Sequence, residues 1–300
     1  MNIFITGGLG FVGRRLSKAL LQDGHRVTAV GLTPEPDTIP HPAFHYIAAD
    51  TTHPGDWQKS LADQEVVVNL AGKSIFTLWT ARAKQQIYDS RILTTRNLVA
   101  GLPEGRDTLL LSTSAVGYYG DRGEDVLAED EPPGDDFLAT LARDWEKEAG
   151  AAAVKGTRVV LTRFGIVLDR GGGALATMIP AFRVFLGGAL GSGQQWFPWI
   201  HMDDLVAALR FLIDRPVLHG PFNCAAPEPV RNEELAKTLG RKLHRPAVMP
   251  APAFMIKLVL GEFGQVLLGS QRALPKKLFE AGFSFTYPDL EAALGEIVDR

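Results

Sequence analysis

The chain has 300 residues, 46% of them hydrophobic and 22% charged, with a formal net charge of −3. That length suggests about two domains, and the composition is that of a globular protein with a sizeable core. The charge makes no electrostatic case for nucleic acid or an anionic membrane as partner.

The sequence opens directly on MNIFITGG, with no basic segment and cleavage site ahead of it, so a cytoplasmic protein is expected. Asn2 to Thr6 is a short apolar strand. Val12, Leu16, Ala19 and Leu20 then recur at helical spacing until Gly24. Strands follow at Arg26 to Val30, Phe44 to Ala49 and Val66 to Leu70. Thr80 to Ala100 is a long helix that stops before Gly101 and Pro103. Leu109 to Ser112 and Val159 to Thr162 are further strands, with a helix over DDFLATLARDWEKEA (135–149) between them. Near-continuous apolar strands separated by helices predict an α/β fold, a doubly wound parallel sheet covered on both faces.

After residue 170 the texture changes to a Gly- and aromatic-rich stretch. A helix from Asp203 to Asp214 and a strand from Phe222 to Ala226 return to the sheet. Within that strand Cys224, the single cysteine, cannot form an internal disulfide and fits a small buried apolar position. Pro227 onward is a helical tail broken by prolines. Its most apolar part, PAFMIKLVLGEFGQVLLG, is interrupted by Lys257 and Glu262 and falls short of the ~18 apolar residues of a spanning helix. Residues 1–170 and 200–226 are thus assigned to a dinucleotide-binding domain. Residues 171–199 and 227–300 are assigned to a smaller, mostly helical substrate-side domain. Oligomeric state is left open.

Gly7, Gly10 and Gly13 lie between the first strand and first helix. In that context glycines let the backbone turn sharply and approach a pyrophosphate, and a helix N-terminus offers free N–H groups to the anion. Phe11 and Val12, which open the helix, share this site, as do Leu70, Ala71, Gly72 and Ser112 at the ends of later strands. The second strand ends at Gly31, followed by Leu32 and Thr33. The acid that would bind the ribose hydroxyls of NAD is missing, so NADP is favoured, with NAD as the other option. Asp50 is a candidate for the adenine amino group, or a loop-capping residue.

The set TGGLGFVG (6–13), NLAG (69–72), SRILTTRNLV (90–99), STSAVGYYG (112–120) and WIHMDDL (199–205) resembles an extended short-chain dehydrogenase/reductase. RFGIVL (163–168), GSGQQWFPWIHMDD (191–204) and LPKKL (274–278) resemble its atypical epimerase-like branch of the YfcH type. The resemblance covers essentially the whole chain and implies a Rossmann core and NAD(P) binding. It also implies a catalytic Ser, Tyr and Lys, in which the Lys lowers the Tyr pKa and the Ser orients the substrate oxygen. Ser114 matches the Ser. The Tyr and Lys, four apart, belong on the 135–149 helix, where Leu138 and Ala142 stand instead.

Tyr118 and Tyr119 follow Ser114, beyond the end of a strand where ligands bind in such sheets. Tyr119 is the candidate proton donor, with Arg91 as the neighbouring positive charge; alternatively one Tyr packs and the other lines a pocket. Arg91 falls on the inward stripe of its helix and needs a partner there. Lys73, Tyr118, Trp199 and His201 are candidate substrate residues; alternatively Lys73 is simply exposed and the aromatics around Trp199 pack an interdomain core. No metal is predicted, because one His and two Asp from a single turn are weak support; Asp203 reads as a helix cap. Phe197 stands where nucleotide-sugar enzymes of the class carry a phosphate-binding Arg, which favours a less charged small-molecule substrate. Two functions follow: an NADP-dependent oxidoreductase or epimerase, or a former enzyme that senses cofactor redox state.

Overall fold

The computed structural model describes residues 1–34 and 36–299. In chain order, β1 (Asn2–Thr6), α1 (Phe11–Gln22), β2 (Arg26–Gly31), β3 (Phe44–Ala48), β4 (Val66–Asn69), α2 (Ala81–Gly101) and β5 (Leu109–Ala115) come first. They are followed by β6 (Val126–Leu127), α3 (Phe137–Gly150), β7 (Arg158–Phe164), β8 (Ile166–Asp169), α4 (Gly173–Arg183), β9 (Trp196–Phe197) and β10 (Trp199–His201). The remainder is α5 (Met202–Ile213), β11 (Gly220–Cys224), β12 (Val230–Arg231), α6 (Asn232–Lys242), α7 (Ala253–Leu260), α8 (Glu262–Leu267), β13 (Arg272–Ala273), α9 (Lys276–Glu280) and α10 (Leu290–Asp299).

Seven strands form one parallel sheet in the order β3-β2-β1-β4-β5-β7-β11. Successive residues of a strand point to opposite faces, and here both faces are apolar. Ile3, Ile5, Val66, Val68, Leu109 and Leu111 pack against Leu16 and Leu20 of α1 and Leu205, Leu209 and Leu212 of α5. Their neighbours Phe4, Val67 and Leu110 pack the other way, against Leu98 and Val99 of α2, Ala149 of α3 and Trp57. The doubly wound sheet expected from the apolar runs is therefore what forms.

The strand order reverses between β1 and β4, so the crossovers leave these two strands in opposite directions and open a crevice at their carboxyl ends. A second core joins α4, α6 and α10 around Leu175, Phe182, Trp199, Leu235, Leu239 and Leu294. No described helix is long and apolar enough to cross a membrane.

Candidate cofactor cleft and active site

Each of the three spaced glycines meets a different constraint. Gly7 has φ +67°, a left-handed conformation that side chains resist. Gly10 is the N-cap of α1, which no side chain caps. A Cβ on Gly13 would lie 2.2 Å from the Gly7 carbonyl oxygen, so only glycine lets helix and loop approach this closely. The first-turn N–H groups are thereby left pointing at the crevice, the arrangement that receives a pyrophosphate. Gly172, just before α4, also has no room for a Cβ, which would fall 2.6 Å from the Phe11 ring.

The crevice floor is a buried polar network. Thr6 donates to Asn69 Oδ1 (2.7 Å) and accepts the Leu70 and Ala71 N–H groups (3.1 Å each). Asn69 Nδ2 donates to Thr95 Oγ1 (2.8 Å) and Ser112 Oγ (3.2 Å). Leu70, Ala71 and Gly72 thus come to the switch point, while Ser112 is fully buried beneath it.

At the far end of the crevice, β2 ends at Gly31, where a Cβ would lie 3.0 Å from Tyr46 Oη. The Tyr46 hydroxyl donates to the Thr33 carbonyl (2.9 Å), and Leu32 is exposed. Arg14 of α1 reaches across to this loop, with Nη1 3.4 Å from Asp37 Oδ2. This cation belongs to the GRR run that follows the glycines, far in sequence from the end of β2. Asp50 accepts the Thr52 hydroxyl (2.6 Å) and Thr52 N–H (3.0 Å). Chiefly through that hydroxyl, its carboxyl is held below the usual range.

On α3, Asp136 caps the helix by accepting the Ala139 N–H (2.8 Å). Leu138 and Ala142 occupy the expected Tyr and Lys register, and one turn further on the same face is Glu146. Its Oε1 accepts the Ser114 hydroxyl at 2.7 Å. Arg163 of β7 clamps the same carboxylate, Nε to Oε1 at 2.7 Å and Nη2 to Oε2 at 2.9 Å. The side chains of Arg163 and Glu146 are only 3% and 10% exposed. Burial alone would lower the arginine pKa, but the Glu146 carboxylate outweighs it and holds Arg163 above its ordinary value. The guanidinium also stacks on the half-buried Tyr118 ring, 3.6 Å from its centroid. Neither Glu146 nor Arg163 figured in the sequence reading; the i+4 step from Ala142 was the available signal.

The expected Tyr119–Arg91 pairing is not what forms. Tyr119 is fully buried, donates to Asn223 Oδ1 (2.7 Å) and accepts from Arg163 Nη1 (2.9 Å). Burial pushes its phenol up to about 12, although Arg163 opposes the shift. Arg91 instead lies against Gly72, donates to the Lys73 and Ile87 carbonyls (3.0 and 3.1 Å), and faces the Trp145 ring at 5.3 Å. Burial draws its pKa down to about 10, so it stays charged at neutral pH. No carboxylate pairs with it among the described residues. Lys73 is exposed and donates to Gln86.

Trp199 and His201, from the aromatic stretch, are both buried. Trp199 is buried in the second core, its Nε1 donating to the Glu228 carbonyl (3.2 Å). His201, not Asp203, caps α5: its buried ring accepts the Asp203 N–H at Nδ1 (3.1 Å). His201 Nε2 is 3.1 Å from Glu296 Oε2, and its ring lies tilted against Tyr287 with centroids 4.0 Å apart. His201, Asp203 and Glu296 bring three metal-capable atoms within 4.8 Å. Asp203 of this group is also paired with the Arg15 guanidinium.

A glycine-cradled helix N-terminus at the switch point of a doubly wound parallel sheet defines an NAD(P)-binding Rossmann protein. Comparison with known proteins gives the particular family. The model of the NAD dependent epimerase/dehydratase family matches residues 3–225, and that of a domain of unknown function, DUF1731, matches residues 251–297. The chain belongs to the NAD-dependent epimerase/dehydratase family. It is 41% identical to the chloroplastic epimerase family protein SDR39U1 homolog of Arabidopsis thaliana, covering 99% of this chain and 87% of that one. It is 38% identical to epimerase family protein YfhF of Bacillus subtilis, covering 99% and 98%. A crystal structure of human epimerase family protein SDR39U1 (isoform 2) with NADPH superposes with a TM-score of 0.86 at 33% identity, covering 100% of this chain and 99% of that one.

Proposed function

We propose that the chain is an NADP-dependent oxidoreductase or epimerase of a small molecule that is not a nucleotide sugar. In this reading Ser114 and Glu146 move the proton that Tyr and Lys move elsewhere in the class. The observation that carries it is the Ser114 hydroxyl at the carboxyl end of β5, aimed at a carboxylate that Arg163 holds rigidly.

A nicotinamide bound along the crevice would supply or accept the hydride. Ser114 donates to Glu146, so its oxygen lone pairs remain available to a substrate hydroxyl. As that hydroxyl becomes a carbonyl, its proton passes to Ser114 Oγ while the serine proton passes to Glu146 Oε1. Reduction runs the same path backwards. Arg163 fixes the carboxylate and Tyr118 walls the site above it. Arg91, half-buried under the loop after β4 with no carboxylate partner among the described residues, would supply fixed positive charge to a cofactor bound there. Tyr119, with its occupied hydroxyl and raised pKa, is a support for Arg163 rather than the proton donor.

Three features support NADP: no acid at Gly31, the Arg14 cation beside the loop that follows it, and NADPH in the human relative. Phe197 in place of a phosphate-binding Arg supports the less charged substrate, and one buried cysteine fits the cytoplasm. The test is calorimetric titration with NADPH and NADH, then turnover of a panel of alcohols and carbonyls. NADPH should bind tighter. Ser114→Ala and Glu146→Gln should each lower turnover by about 10²–10⁴ while leaving NADPH affinity unchanged. If no compound alters the bound cofactor's redox state, the sensor reading replaces this one.

A further inference from the structure

The late apolar stretch takes no part in the crevice, and its environment is unusual. In α7 only Ile256 is buried, while Leu258 is 82% exposed, Phe254 70% and Val259 67%. The segment after α4 adds Val184, Phe185 and Leu186, all exposed. The two segments are fastened together. Met249 N–H donates to the Gly187 carbonyl (3.2 Å), Ala251 N–H to the Ala189 carbonyl (2.9 Å), and a Cβ on Gly188 would lie 2.2 Å from the Met249 oxygen. Large apolar side chains exposed together on one face mark an interaction surface.

The charge on this face identifies what it meets. Residues 171–195 and 240–261 contain no Asp or Glu, in a chain whose net charge is −3. They contain Arg183 beside Val184, Arg245 over the Phe185 ring at 5.0 Å, and Lys257 within α7. None of these three cations is in an ion pair among the described residues. Within these two segments the charge is therefore of the opposite sign to that of the whole chain. A second copy docked through this face would bring like charges together across a two-fold axis. An anionic lipid surface satisfies both features: the apolar side chains enter the acyl boundary and the cations meet the headgroups. We infer that α7 and residues 184–186 dock the protein reversibly on anionic membrane surfaces.

The experiment is co-sedimentation of the full chain with large vesicles of phosphatidylcholine, and with vesicles in which phosphatidylglycerol replaces about a third of it. Binding to the anionic vesicles should be at least about tenfold tighter and should fall at about 0.5 M salt. Leu258→Glu should abolish it and Lys257→Gln should weaken it. Both residues are exposed, so NADPH affinity and circular dichroism should not change in either variant. Absence of binding, equal binding to both vesicles, or insensitivity to Leu258→Glu would overturn the inference. So would a dimer in sedimentation equilibrium that Leu258→Glu dissociates, since a second copy would then occupy the face.

Discussion

Replacing Glu146 with Gln removes the charge at the centre of the candidate site while keeping its shape. Arg163 is almost wholly buried, and its other acceptors are the Tyr119 hydroxyl (2.9 Å) and the Glu129 carbonyl (3.1 Å), both neutral. Removing one partner of a buried ion pair costs about 3–5 kcal/mol, mostly from the stranded charge. The Gln oxygen can still accept from Ser114 and from Arg163 Nε, so a loss of about 2–3 kcal/mol is expected. Domains of ordinary stability, about 5–15 kcal/mol, remain folded after such a loss. Adding Arg163→Met to Glu146→Gln removes the stranded cation and should recover at least about 1 kcal/mol. Urea unfolding followed by tryptophan fluorescence and circular dichroism gives both quantities. Because the pair is buried, the losses should be the same at low and high salt. A Glu146→Gln loss below about 0.5 kcal/mol, or a double variant equal to the sum of its singles, would refute the buried-clamp argument.

Gly13→Ala forces a Cβ to within 2.2 Å of the Gly7 oxygen and 2.8 Å of Gly8 Cα, so NADPH titration should show binding weakened by about a hundredfold or more. Gly31→Asp puts a carboxylate where the 2′-phosphate would lie; the ratio of NADPH to NADH affinity should fall by about tenfold or more, and an unchanged ratio would count against the NADP assignment. Burial raises the Glu129 carboxyl above its ordinary 4.5, so the folded chain holds that proton more tightly than the unfolded chain does. Stability is therefore lost as pH climbs from the unfolded value through the folded one. Glu129→Gln removes this loss, so its urea midpoint should exceed the parent's at about pH 8 and approach it at about pH 4.

The sheet was legible because its central strands are apolar runs bounded by turn residues, and the cofactor crevice because its glycines are close together in sequence. The start of α5 was misread. Asp is a common cap, but a buried His201 ring takes that role once the second core encloses it. Trp199 stayed open between two roles, since an aromatic near a site and one in a core look alike in sequence. Ser114, Glu146 and Arg163 come from β5, α3 and β7, and only sheet order and helix packing bring them together. A missing Tyr and Lys could be read from one helix; what took over their face could not.

The carboxylate of Asp204, buried near the start of α5, accepts the N–H groups of Thr286 and Tyr287 at 2.7 and 2.9 Å. Beside it His201 leans on Glu296, while Asp203 holds Arg15 from the first helix. The opening and closing segments of the polypeptide are thus stitched to the same turn. On the ribosome, the buried Asp204 carboxylate finds its partners only once the segment ahead of the final helix has emerged. Trimming the tail would therefore injure the head, and the two matched regions should be inherited, expressed and degraded as one unit.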